Sequence, residues 1–313
     1  MDRIACVGAG LIGQAWAIVF ARAGRDVVLH DPDRSTLEGA RDGVAARLQD
    51  LKRFALIDEP DPIRARITTE PDLQAALAGA AHVQESAPER IGVKQALYIE
   101  LDRLAAPATV LASSTSGIPA SAFTEPLEHR ERCLVAHPIN PPYLVPLVEL
   151  CPAPWTAPET VERTHTLMRS VGQAPVRLHH ETAGFIANRM QAALIGAALR
   201  MAADGVASID DIDTAIRDGI GLRWSFMGPF ETIDLNAPGG IRDYLERYGP
   251  LYQSIEAEHG PLDWTERGLL DQVERGRRER LAADRLKDRS AWRDRRLMAL
   301  VAHKSAATND IGE

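Results

Sequence analysis

The chain has 313 residues, a formal net charge of −8, and 45% hydrophobic and 26% charged residues; its mass is 34.2 kDa. That length suits two domains with cores large enough to hold without disulfides, and the composition excludes a disordered or fibrous chain. The acidic balance gives no support to nucleic-acid binding, no apolar run approaches the ~18 residues of a membrane span, and three scattered cysteines, Cys6, Cys133 and Cys151, argue against a disulfide framework or a zinc site.

Met1-Asp2-Arg3 runs directly into an apolar segment, so a cytoplasmic chain without a signal peptide is expected. The first half then alternates short β-branched runs with helical stretches. Strands are predicted at Ile4–Val7, Val27–Leu29, around Ile67, and at His82–Gln84, Val110–Ala112 and Cys133–Ala136. Helices are predicted at Leu11–Ala23, Ser35–Leu56 and near Leu73–Leu77, with Pro60 and Pro62 breaking the pattern. Two further strands fit at Leu147–Leu150 and Val176–Leu178, with a helix from Pro158 to Val171 between them. Such alternation predicts an α/β fold, a Rossmann-type, doubly wound and mainly parallel sheet. After Thr182 the texture becomes helical, with Ser208 as an N-cap and Pro229 in a first turn. The expected organisation is therefore a cofactor domain over 1–182 and an all-helical domain over 183–313, with a disordered tail from about Ser305.

Gly8-Ala9-Gly10-Leu11-Ile12-Gly13 lies between the first strand and the first helix. Its glycines permit a tight turn and close approach of backbone to a pyrophosphate, which then faces the helix N-terminus. Asp31 ends the second strand, 18 residues after Gly13, where a carboxylate accepts from ribose hydroxyls and repels a 2′-phosphate. The cofactor is therefore read as NAD. Arg34 is read as part of a solvated helix face.

His137-Pro138-Ile139-Asn140-Pro141-Pro142-Tyr143 follows a buried-looking strand. Glu149 stands inside the apolar run Leu147-Val148-Glu149-Leu150. An acid there must be buried and needs a partner, and a neighbouring strand carrying His137 supplies one. Beside a nicotinamide such a pair suits alcohol oxidation, the imidazole taking the hydroxyl proton and the carboxylate orienting the ring. A structural histidine and a satisfied core acid remain the plain alternative.

Other polar positions are read more simply. Glu89 and Lys94, taken alone, form a surface ion pair. The hydroxyls of Ser113-Ser114-Thr115-Ser116-Gly117 either bond a reacting oxygen or cap the next helix. Asn188 faces solvent unless its helix lines a cleft. The arginine-rich stretch from Arg275 to Arg296 is interleaved with acids and reads as a solvated or oligomer-facing helix. No metal site is expected.

These motifs resemble the 3-hydroxyacyl-CoA dehydrogenase superfamily, and within it the lambda-crystallin, L-gulonate 3-dehydrogenase branch. The resemblance runs from the glycine turn to Trp292-Arg293-Asp294. It is most specific at residues 137–149, at Ala183-Gly184-Phe185-Ile186-Ala187-Asn188-Arg189 and at residues 219–229. It implies a two-domain NAD enzyme with a helical, dimer-forming C-terminal domain, hence a homodimer. It implies that His137 is the catalytic base and Glu149 its partner. It assigns Ser116 and Asn188 to the substrate and nicotinamide end, and Glu89 and Lys94 to the nicotinamide side of NAD. Leu11, Ile12 and Asp31 fall on the adenine and pyrophosphate side.

Two substrate classes divide the superfamily. Residues 41–66 carry Arg41, Arg47, Lys52, Arg53, Arg64 and Arg66, but two prolines and several acids make them a poor cradle for the phosphates of CoA. Arg223 offers a guanidinium to a free carboxylate that a thioester lacks; its plain alternative is an ion pair with Asp218 or Glu231. The expected substrate is a small free 3-hydroxy acid, L-gulonate first. L-Carnitine is the rival, its trimethylammonium seeking aromatics such as Trp224, Phe226, Phe230 and Tyr143; a 3-hydroxyacyl-CoA is the other. A crystallin-like, NAD-binding structural protein is the non-enzymatic reading.

Overall fold

A computed structural model describes residues 3–258 and 262–312. Met1 and Asp2, on which the expectation about a signal peptide rests, lie outside them. The chain divides into two compact units, Met1–Arg189 together with Trp292–Glu313, and Met190–Ala291.

The first unit is built on one eight-stranded sheet of order β3-β2-β1-β4-β5-β6-β7-β8. Its strands are β1 (Arg3–Val7), β2 (Val27–His30), β3 (Ile67–Glu70), β4 (Ala80–Glu85), β5 (Val110–Ser113), β6 (Cys133–Pro138), β7 (Leu147–Pro152) and β8 (Ala174–Arg177). All neighbours pair parallel except β6 and β7, which run antiparallel. The helices of this half are α1 (Leu11–Arg22), α2 (Arg34–Arg53), α3 (Pro60–Ala65), α4 (Leu73–Leu77), α5 (Ile91–Leu104), α6 (Ser121–Thr124) and α7 (Pro158–Ser170). Pro60, read as a break, begins α3 at its first turn, where a missing N–H costs nothing.

Alternation along the strands splits the core into two layers. Ile4 and Cys6 face a cluster with Trp16, Phe20, Leu29 and Leu48. Ala5 and Val7 face another with Val83, Tyr98, Leu111 and Phe123. β1, with a buried layer on each side, is the centre on which the glycine turn is mounted.

Helices then run as α8 (Ala187–Ala203), α9 (Ile209–Thr214), a π-helical turn (Ala215–Ile220), α10 (Gly221–Trp224), α11 (Pro229–Asp234), α12 (Gly240–Ala257), α13 (Arg267–Arg280) and α14 (Leu286–Ile311). Ser208 caps α9 by accepting from Asp211 N, as read. In the second unit only Gly196, Ala202, Thr232 and Leu269 are buried among the described residues. The tail expected to be disordered from Ser305 is helical to Ile311. Met298 on that helix is 1% exposed and Leu297 packs against the core, which anchors the segment to the first unit. No helix of the described residues is long and apolar enough to cross a membrane.

Candidate active site

The β6–β7 register sets His137 directly opposite Glu149. Across this antiparallel pair His137 Nδ1 lies 2.7 Å from Glu149 Oε2. A carboxylate only accepts, so Nδ1 carries a proton, and whenever the ring is neutral its lone pair is on Nε2. Nε2 has no hydrogen-bond partner among the described residues. Glu149 is fully buried. Its second oxygen accepts from the backbone N–H of Ile186 at 2.7 Å and of Ala187 at 2.9 Å. Burial pushes its carboxyl pKa up, but the His137 hydrogen bond and the two amides outweigh that and hold it below the usual carboxylate range. The dyad is thus an imidazole whose Nδ1–H is braced by an anion.

The two amides reach Glu149 through a sharp turn. Gly184 has φ +76° and Phe185 φ +52°, a left-handed conformation that costs a non-glycine residue about 1–3 kcal/mol. The turn also lays the buried Phe185 ring 5.3 Å from the His137 ring, tilted by 44°. Nothing in the sequence pattern marked Phe185, Ile186 or Ala187 as partners of the dyad.

Asn188 follows in the first turn of α8, half-buried rather than open to solvent. Its Nδ2 donates to the Ser116 carbonyl at 2.6 Å. The fold thus joins Ser116 and Asn188, 72 residues apart in the chain. Glu89 binds the same loop, accepting from the Thr115 hydroxyl and from the N–H groups of Ser116 and Gly117 at 3.0 and 3.2 Å.

Lys94 and Glu89 do not form the surface ion pair of the plain reading. Lys94 is 1% exposed and pairs with Glu85 at 2.9 Å, with Ser113 Oγ at 3.3 Å. Glu85 also accepts from Ala87 N at 2.7 Å, which fixes the start of the 86–90 loop. Sequence reasoning placed Glu85 at the ligand-binding edge of the sheet but gave it no role of its own, although a charge ending a buried strand was the available signal. Within the hydroxyl cluster, Ser114 neither caps a helix nor stands free: its hydroxyl gathers Trp16 Nε1, Gln84 Nε2 and Ser86 Oγ within 3.1 Å.

The glycine turn fits a dinucleotide. A Cβ on Gly13 would stand 1.8 Å from the Gly8 carbonyl, and one on Gly8, at φ +98°, would stand 2.7 Å from Ser86 O. Around Gly10 there is open space, nothing lying within 4 Å of such a Cβ. No side chain caps α1, so its first amides, at Leu11, Ile12 and Gly13, are left for an anion. Asp31 is held by Ala9 N at 3.0 Å and Asp33 N at 3.1 Å, which sets its carboxylate beside the turn.

Arg223, on α10 in the second unit, donates to Asn236 Oδ1 at 3.3 Å. Neither proposed acid pairs with it: Asp218 is taken by Arg217 at 2.6 Å, and Glu231 makes no ion pair among the described residues. Of the aromatics considered for a cation, Tyr143 is 3% exposed and belongs to the core of the first unit. Trp224, Phe226 and Phe230 lie in the second unit, 41%, 68% and 72% exposed.

Fold and site define an NAD-dependent oxidoreductase that acts on CH–OH groups. The chain belongs to the 3-hydroxyacyl-CoA dehydrogenase family, whose NAD-binding domain matches residues 3–182 and whose C-terminal domain matches residues 184–275. It is 36% identical over 313 residues to the lambda-crystallin homolog of Homo sapiens, covering 96% of each chain. It is equally 36% identical over 310 residues to an L-carnitine dehydrogenase of Burkholderia mallei, covering 96% of this chain and 94% of that one. Among solved structures, the NAD+-dependent dismutase 5-formyl-3-hydroxy-2-methylpyridine 4-carboxylic acid 5-dehydrogenase superposes with a TM-score of 0.81 at 27% identity over 97% of both chains.

Proposed function

We propose that the chain oxidises the 3-hydroxyl of a small free hydroxy acid, with L-gulonate the leading case. The observation that carries this reading is the 2.7 Å contact between His137 Nδ1 and Glu149 Oε2, which leaves Nε2 available as a base. Bound at Gly8, Gly10, Leu11, Ile12, Gly13 and Asp31, with Glu89 and Lys94 ordering the nicotinamide side, NAD supplies the acceptor for the carbinol hydride. His137 Nε2 takes the hydroxyl proton, and the imidazolium so formed is stabilised by Glu149, already ionised and fully buried. Ser116 and Asn188 position the substrate oxygen. Oxidation by this route therefore needs the Nε2 lone pair of His137.

The free-acid reading rests on two features of charge. Arg223 has no acidic partner among the described residues and suits a carboxylate. In residues 41–66, Lys52 is spent on Glu59, Arg66 on Asp26 and Arg47 on Gln14, which weakens that segment as a phosphate cradle for CoA. The L-carnitine dehydrogenase relative, with exposed Trp224, Phe226 and Phe230, supports L-carnitine as the second reading.

Steady-state assays with L-gulonate, L-carnitine and 3-hydroxybutyryl-CoA decide among them. A higher kcat/KM for either free acid supports the proposal and names the substrate; a preference for the thioester overturns it. We also propose a homodimer. The second unit buries too little of its own surface to stand uncovered, and Leu222, Phe226, Phe230 and Leu235 are each more than 60% exposed.

A further inference from the structure

A second cavity opens at the N-terminal edge of the parallel strands, the edge away from the glycine turn and His137. It measures about 330 Å³. Ile4 at the start of β1, Val110 at the start of β5 and Leu167 on α7 give it apolar walls. Its polar lining holds two guanidinium groups, Arg25 from the turn before β2 and Arg163 from α7, with His82 near the start of β4, the hydroxyls of Thr164 and Ser170, and the Glu162 carboxylate.

These cations are poorly matched by the protein itself. Arg25 donates to Ser170 Oγ at 3.2 Å, and its Nε is buried with no partner. Arg163 donates to the Ala108 carbonyl at 3.0 Å. Neither guanidinium meets a carboxylate among the described residues, because Glu162 at the rim is held by Arg177 at 2.8 Å. His82, 2% exposed, is bound to Gln84 Oε1 at 3.2 Å, and burial lowers its pKa to about 4, so it adds no charge at neutral pH. Two guanidinium groups without a carboxylate partner among the described residues thus share one cavity on a chain whose net charge is −8. A buried N–H without an acceptor is destabilising, and an oxyanion that meets it removes that cost while matching the planar fork.

We propose that this cavity binds a compact oxyanion carried on a short apolar body, the phosphate or carboxylate group of a small metabolite, with Arg25 and Arg163 as its ligands. The site is separate from the oxidation site, since it opens at the strand starts whereas the dinucleotide crevice lies at the strand ends.

The test is isothermal titration of the NAD-saturated enzyme, which keeps the pyrophosphate crevice filled, with inorganic phosphate and separately with butyrate at constant ionic strength. Saturable binding of at least one is expected. Arg25→Gln and Arg163→Gln should each raise its Kd about tenfold or more and leave kcat unchanged. Arg163 is exposed on α7, so that variant keeps its fold even if the Arg25 variant does not. Binding of phosphate alone identifies a phosphorylated metabolite, and binding of butyrate alone a carboxylate. Saturable binding of neither, or binding that survives both substitutions, overturns the proposal.

Discussion

At the scale of single residues, the proposed chemistry rests on one imidazole and one carboxylate, and each has a distinct test. His137→Asn should lower kcat by a factor of roughly a hundred to ten thousand, the usual worth of a general base, while calorimetry finds NAD affinity unchanged. A near-normal rate would remove His137 from the mechanism. The acid response of the fold has a separate origin in His82. It titrates near pH 4 in the folded chain against an ordinary 6.5, because burial disfavours its charged form. The unfolded chain therefore binds the extra proton between those values, and stability rises with pH across that window. Falling from pH 6.5 to 4 should cost up to ~3 kcal/mol, and His82→Gln should flatten the loss in denaturant titrations at pH 7, 5.5 and 4.5. Glu149 adds to the same trend lower down: its folded pKa lies below the ordinary value, so its contribution is present above that value and is lost as pH falls through the folded one.

At the scale of elements, the reversal of strand direction between β6 and β7 is what makes the dyad. A parallel β7 would have needed a crossover, whereas the antiparallel return over 139–146 brings residue 149 back beside residue 137. The need for a partner was legible, because a carboxylate inside an apolar run has few alternatives. The register was not, since it depends on how the two strands meet. Lys94 teaches the same lesson in reverse. Its spacing from Glu89 suggested a pair, but the end of β4 offers Glu85 at 2.9 Å inside the protein. At the glycine turn, Gly13→Ala should push α1 off β1, because the new carbon would overlap the Gly8 carbonyl at 1.8 Å. Weaker NAD binding, by about tenfold or more, together with a lower Tm, is the expected result; unchanged affinity would dissociate the turn from the cofactor.

At the scale of the whole molecule, the last helix and the second unit raise different questions. The end of α14 is counted with the first unit, and Met298 is almost fully buried there. Met298→Ala should therefore cost about 2–5 kcal/mol in denaturant unfolding; a change near zero would mean that this docking contributes little. The second unit has only four buried positions among its described residues, which is the observation behind the proposed homodimer. Sedimentation should show a dimer in the parent chain, and Phe230→Asp, at a position 72% exposed, should shift it toward the monomer. A monomeric parent chain at micromolar concentration would remove the homodimer.

Local rules were enough for the sheet-forming half. Periodicity, glycine spacing and an acid ending the second strand fix a nucleotide-binding architecture, because each acts between residues close in sequence. Tertiary structure alone decided that Glu149 draws two amides from the Gly184–Phe185 turn, that Ser116 meets Asn188, and that the chain's last turns pack back on the first unit. Those contacts join segments tens of residues apart. Their geometry comes from strand register and helix packing, which no local pattern of side chains encodes.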